Sequence, residues 1–125
     1  MRNLRYVRVS SNSQKVDRQV EEGDRTRYSF FLEEKVSGKT ELFKREKGSI
    51  IKELILEGKI DVVSIYSVDR ISRNLIDLLS VIDFFHDNGV ALQIDNLGIT
   101  SLIEGKTNPS IMIIVQMMGA FSQLE

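Results

Sequence analysis

Leu4-Arg5-Tyr6-Val7-Arg8-Val9 is a run of β-forming residues that breaks into the polar segment Ser10-Ser11-Asn12-Ser13-Gln14. The pattern predicts a short strand ending in a loop. Side chains on a strand alternate between faces, so Tyr6, Arg8 and Ser10 share one face and Val7 and Val9 the other. A guanidinium then stands beside a hydroxyl at the C-terminal end of a strand, where open α/β sheets bind their ligands. A hydroxyl next to a permanent cation suits attack on a phosphate. The hydroxyl is the nucleophile, and the cation stabilises charge growing on the phosphoryl oxygens. The competing reading is a Ser-rich turn that only caps the next helix, and this stretch alone does not separate the two.

Working outward, Ser13 to Glu22 is expected to be a helix, with Ser13 as N-cap and Gly23 as stop. Tyr28-Ser29-Phe30-Phe31-Leu32 is a second strand, and the polar stretch from Glu33 to Lys47 is a loop. Ser49 to Glu57 is a helix with apolar positions Ile50, Ile51, Leu54 and Ile55, closed by Gly58. Ile60 to Tyr66 is a third strand. Asn74 to Asn88 is an amphipathic helix, capped by Asn74 with Asp77 three residues on. Its expected buried stripe is Leu75, Leu78, Leu79, Ile82 and Phe85, and Gly89 ends it. Val90 to Ile94 is a fourth strand, and Gly98-Ile99-Thr100 a short edge strand. Strands alternating with helices predict an α/β fold with a mostly parallel sheet of four to five strands, flanked by helices through right-handed crossovers.

Asn108-Pro109 opens a last helix, with proline at its first position. From Ile111 to Ala120 the only polar residue is Gln116. A helix so apolar is either packed centrally in its own domain or set against a partner subunit, with Met112, Met117 and Met118 as adaptable contacts. The second reading is favoured. The pattern is still helical at Glu125, so the chain is expected to be part of a longer polypeptide.

The 125 residues, 42% hydrophobic and 28% charged, fit one globular domain with a real core. Cysteine is absent, which excludes disulfides and thiolate metal sites. No signal peptide and no 18-residue apolar run is visible, so a cytoplasmic protein with no membrane contact is expected. His86 is the single histidine. It argues against a Ser-His-Asp triad or a histidine metal site, and its place near a helix end suggests a surface or capping role. The net charge of −1 disfavours a stand-alone nucleic-acid binder. Local clusters still meet phosphate in a neutral domain. Arg2, Arg5, Arg8, Lys15, Arg18 and Arg25 crowd the first 25 residues, and Arg70 and Arg73 lie together later.

Asp69-Arg70-Ile71-Ser72-Arg73 follows the third predicted strand, also at a C-terminal sheet edge. Parallel strands lie about 4.8 Å apart, so this loop is within reach of Ser10. The assembled site holds a serine, three arginines and an aspartate, and converging guanidiniums suit a phosphoryl transition state. The plainer reading is that Asp69 pairs with Arg70 or Arg73 at the surface, where an ion pair is worth little. Ser37-Gly38-Lys39-Thr40 imitates the end of a P-loop. Glu33 occupies the place of that motif's first glycine, so nucleotide binding is rejected.

Taken in order, Tyr6-x-Arg8-Val9-Ser10, Gln14, Arg18-Gln19, Ser37-Gly38-Lys39 and Asp69-Arg70-x-Ser72-Arg73-Asn74 resemble the catalytic domain of serine recombinases, the resolvase/invertase family. The resemblance spans residues 1–125. It implies site-specific DNA recombination, whether inversion, resolution or integration, with no metal or other cofactor. Ser10 would attack a DNA phosphodiester and carry a 5′-phosphoserine link. Arg8, Arg70 and Arg73 would bind the scissile phosphate. Asp69 and Gln14 would order the site, with Gln19, Glu34 and Glu125 in support. Family members place an arginine about six residues after the serine of the Ser-Gly pair. That position is Phe43 here, so Lys44, Arg45 or Lys52 is left to supply the outer phosphate contacts, with Arg45 the first choice. The resemblance also implies a homodimer built on a long C-terminal helix, a tetramer in the active synaptic complex, and a separate DNA-binding region beyond this chain. The rival readings are a non-catalytic oligomerisation module and a phosphate-binding signalling module.

Overall fold

The computed structural model describes residues 2–9, 25–114 and 116–117. Four strands run parallel: β1 (Asn3–Val9), β2 (Phe30–Lys35), β3 (Val62–Ile65) and β4 (Ala91–Ile94). A fifth, β5 (Ile99–Thr100), pairs antiparallel with β4, giving the order β2-β1-β3-β4-β5. Helix α1 (Glu46–Leu56) connects β2 to β3 past the intervening β1, and α2 (Leu75–Asp87) connects β3 to its neighbour β4. This is the α/β arrangement that the alternating pattern predicts. The first strand lies inside the sheet, and Leu4, Tyr6 and Val7 on its two faces are fully buried. Burial on both faces is the usual state of a parallel strand.

The second helix forms where its signals place it. Asn74 Oδ1 accepts a hydrogen bond from Asp77 N at 3.1 Å and so caps the helix. Gly89, at φ 70°, releases the chain into β4. The buried stripe is Leu78, Val81, Ile82 and Phe85, while Leu75 and Leu79 are only half-buried. The helix is rotated so that Val81 meets the core. Phe85 is fully buried, and such burial contributes on the order of 2–3 kcal/mol.

Several expectations change, and the third strand is shorter than expected, spanning Val62–Ile65. The second strand starts two residues later than its aromatics suggest and continues through Glu33, Glu34 and Lys35, because pairing with β1 down to Val9–Lys35 outweighs their loop-like polarity. Helix α1 begins at Glu46, three residues before Ser49, because its first turn lies against the 3-10 turn at Leu42–Lys44. Gly48 makes that approach possible: a Cβ there would sit 1.8 Å from the Leu42 carbonyl oxygen. Gly48→Ala is therefore expected to destabilise the fold by about 1–3 kcal/mol, read as a lower urea midpoint at unchanged slope. The region after β5 also holds a small hairpin, β6 (Leu102–Ile103) and β7 (Lys106–Thr107). Glu104 and Gly105 both have positive φ, as a two-residue type I′ turn requires.

Residues 110–114 and 116–117 are helical, and Asn108 Oδ1 caps this segment by accepting from Ser110 N at 3.0 Å. Ile111 and Ile114 join the core, while Met112, Ile113 and Met117 remain at least half exposed. The described part of the helix is thus buried on one side only.

His86 docks its ring Nε2 2.8 Å from Ser101 Oγ, which also accepts from Leu92 N at 2.7 Å. Burial lowers the imidazole pKa, against the opposing pull of Asp83 and Asp87. The unfolded chain then binds the proton more readily than the folded one. This share of stability is present above the ordinary imidazole value of about 6.5 and fades as the pH falls through it. His86→Gln is expected to flatten the decline of melting temperature between pH 7 and pH 5, and an unchanged slope would contradict it.

Candidate active site

The C-terminal end of β1 supplies the buried wall of the site. Arg8 is 3% exposed and donates from Nη1 to the Val36 carbonyl at 3.1 Å and from Nη2 to the Asp69 carbonyl at 3.4 Å. Its Nε is buried and has no partner among the described residues. The guanidinium pKa is pulled down by burial first, then by Arg45 and Arg70, with Asp69 acting in opposition. Arginine nevertheless keeps its charge in proteins, so the group is a fixed cation with donor capacity to spare.

The turn after β2 brings the backbone against that cation. Ser37 shapes it, accepting from Lys39 N at its Oγ and from Thr40 N at its carbonyl. A Cβ on Gly38 would lie 3.2 Å from Arg73 Nε and 3.3 Å from Arg8 Nη2. Two guanidiniums from distant parts of the chain therefore flank one glycine. A larger side chain would displace both, and Gly38→Val is expected to lower inorganic phosphate affinity about tenfold by titration calorimetry.

The third wall is the 3-10 turn Val68–Arg70 that follows β3. Ser67 Oγ donates to Asp69 Oδ1, and Arg70 Nη1 donates to Asp69 Oδ2 at 3.0 Å. The Asp69–Arg70 ion pair of the plainer reading thus forms, with side chains 43% and 22% exposed. It forms inside the cluster, where the Asp69 carbonyl also receives Arg8. Arg73 is exposed.

Beneath these walls lies a buried polar network. Arg45 is 2% exposed. Its Nε donates to the Thr40 carbonyl at 2.9 Å, Nη1 to Tyr6 Oη at 3.1 Å and to the Arg70 carbonyl at 2.7 Å, and Nη2 to the Ile71 carbonyl at 2.9 Å. Tyr6 Oη in turn donates to Glu34 Oε2 at 2.5 Å, and Glu34 Oε1 accepts from Lys47 N at 3.1 Å. The Tyr6 pKa rises above its ordinary value through burial, reinforced by the bond to Glu34. The phenol stays protonated and bridges cation to carboxylate. One guanidinium thereby ties the Ser37–Thr40 turn to the arginine loop.

Arg8, Glu34, Arg45, Asp69, Arg70 and Arg73 are accordingly on or directly beneath one surface. Ser10, Gln14, Gln19 and Glu125 lie outside the described residues. Of the alternatives for outer contacts, Lys44 pairs with Glu41 at 3.1 Å, and Lys52 Nζ stands over the rings of Phe43 and Phe84. Among the described residues, Arg2 and Arg5 of the N-terminal basic cluster do not join Arg8. Arg2 pairs with Asp61, and Arg5 is 1% exposed, bonded to Ser64 Oγ at 2.7 Å and Asp95 Oδ2 at 2.6 Å. Strand alternation accounts for this, since Arg5 points away from the face that carries Tyr6 and Arg8. Sequence reasoning missed Tyr6 as a working part of the site, although its position two residues before Arg8 marks it.

Residues 4–125 match the sequence profile of the family described as "Resolvase, N terminal domain". The chain is 32% identical over 120 residues to the Tn501 resolvase of Pseudomonas aeruginosa, covering 96% of this chain and 60% of that protein. It is 36% identical over 124 residues to a resolvase of Clostridium perfringens, with 96% and 61% covered. The chain therefore spans about 60% of the length of these curated relatives. Among solved structures, the N-terminal catalytic domain of TP901-1 integrase superposes with a TM-score of 0.70 at 20% identity, over 99% of this chain and 95% of that one.

Proposed function

Because this chain belongs to the resolvase family of serine recombinases, we propose that it catalyses DNA strand cleavage and rejoining in site-specific recombination. The observation that carries this reading is the convergence of Arg8, Arg73 and the Asp69–Arg70 turn around Gly38, at the end of the strand that leads into Ser10. Ser10 Oγ attacks the phosphorus of a DNA phosphodiester. The new O–P bond makes a 5′-phosphoserine ester, and the bond to the deoxyribose 3′-oxygen breaks. That oxygen leaves as a hydroxyl, taking up a proton as the serine gives one up. Arg8, Arg70 and Arg73 offset charge on the non-bridging oxygens. Asp69 orients Arg70, and Arg45 holds the loops in register from below. Rejoining is the same exchange in reverse, with a 3′-hydroxyl attacking the phosphoserine. The ester conserves the energy of the broken bond, so neither nucleotide nor metal is needed to reseal the strand.

The exposed Met112, Ile113 and Met117 beside core residues Ile111 and Ile114 support dimerisation through this helix, and a tetramer in the synaptic complex. DNA as substrate accords with work in the cytoplasm, and no helix among the described residues is long and apolar enough to cross a membrane.

The test uses the protein with DNA from its own genomic neighbourhood, quenched with denaturant, digested and read by mass spectrometry. A nucleotide-modified peptide with the adduct on Ser10 is the expected result. An adduct on Ser11 or Ser13 would keep the reaction class and overturn the strand-face assignment. DNA binding without any adduct would favour the oligomerisation module.

A further inference from the structure

A second opening adjoins the arginines. A groove of about 410 Å³ lies between the segment after Gly38 and the start of α2, with Lys39 and Phe43 on one side and Ser72, Asn74, Ile76 and Ser80 on the other. Its lining includes the chain neighbours of the arginine cluster. Lys39 follows Gly38, whose Cβ position touches Arg8 and Arg73, and Ser72 and Asn74 flank Arg73 in the chain. Its size is within the range of small-molecule sites.

The lining differs in chemistry from the arginine cluster. Ile76 is 79% exposed in the first turn of α2, an unusual position for a large aliphatic side chain beside a cationic site. Phe43 is half-buried, and hydroxyl and amide groups surround these two apolar surfaces. Glu41 and Asp77 also line the groove, so a second phosphate would meet carboxylates there. The combination suits a group with a flat apolar face and hydrogen-bonding edges, joined to a phosphate but uncharged itself.

We infer that this groove takes the deoxynucleoside adjoining the phosphate held by Arg8 and Arg73, with its base against Ile76 and Phe43. The inference rests on the DNA-cleaving reading above and adds a subsite to it. It makes the groove a determinant of which nucleotide is tolerated beside the cleaved bond.

The test is amide NMR on the isotope-labelled chain, titrated first with inorganic phosphate and then with the dinucleotide TpA. Phosphate is expected to shift Gly38 and Arg73. TpA is expected to shift these and also Ile76 and Ser80. Ile76→Ser, an exposed substitution that leaves the core alone, is expected to weaken TpA about tenfold more than phosphate. If TpA moves only the Gly38 and Arg73 signals, the groove is not a nucleoside site and the phosphate site stands. Equal weakening of both ligands by Ile76→Ser would overturn the groove as well. If neither ligand moves Gly38 or Arg73, the phosphate site fails and the subsite fails with it.

Discussion

Ser10→Ala is expected to remove DNA strand cleavage, by on the order of 10⁴-fold or more, and to leave the fold in place. The magnitude follows from chemistry. In covalent catalysis the nucleophile makes the bond that defines the intermediate, and the remaining binding groups do not replace it. On the proposed reading the arginines are expected to bind phosphate in the variant too, so substrate affinity should be retained while turnover is lost. Gel analysis of protein-linked DNA, beside a circular dichroism melt, separates the two effects. Cleavage near the wild-type rate would show that another group attacks the phosphorus. Ser11 is the control: the sequence pattern, read on from β1, predicts the face opposite Arg8 for it, and Ser11→Ala is expected to keep cleavage within a few-fold of wild type.

Arg45→Ala has the largest expected effect on stability, a loss of about 3–5 kcal/mol. The guanidinium is 2% exposed and serves three carbonyls and one phenol. Truncation strands those acceptors and leaves the Glu34 carboxylate facing Tyr6 without its cation. Arg45→Lys recovers little, because one ammonium does not span the positions that a planar fork reaches. Urea unfolding measures the loss, and a change below about 1 kcal/mol would mean that the network adds little to the fold. Tyr6→Phe in both backgrounds completes a double-mutant cycle. A coupling energy near zero would show that Arg45 acts on the carbonyls alone.

The parts of this molecule that were legible in the sequence are those where local and tertiary signals agree. Helix α2 has a cap, an apolar stripe and a terminal glycine, and it forms between the residues those signals mark. Strand β1 is similarly plain, and alternation along it places Tyr6 and Arg8 on one face. The second strand was misread because Glu33, Glu34 and Lys35 are polar for reasons that only the folded chain reveals: Glu34 is the acceptor for Tyr6 and for the Lys47 amide. Arg45 is the sharper case. A sequence shows an arginine near a phosphate-binding loop and suggests a phosphate contact. It does not show that the bonds of this guanidinium go to the carbonyls of Thr40, Arg70 and Ile71 and to the Tyr6 phenol. The approach of Gly48 to Leu42 is equally invisible, since it joins two turns only after both have formed. Arg5 was countable as part of a basic cluster, but the alternation that singles out Arg8 already turns Arg5 away.

The position of β1 between two partners has a consequence for motion. Its amides belong to the paired interior of the sheet, between β2 and β3, and such amides exchange with solvent only on extensive opening of the fold. The Gly38 turn and the Val68–Arg70 turn lie outside any strand, so their amides are expected to exchange through smaller openings at lower free energy. The site is therefore half anchored and half adjustable. On the proposed reading, Arg8 is expected to hold its place while the two turns adjust to a phosphate that passes from tetrahedral to trigonal bipyramidal and back.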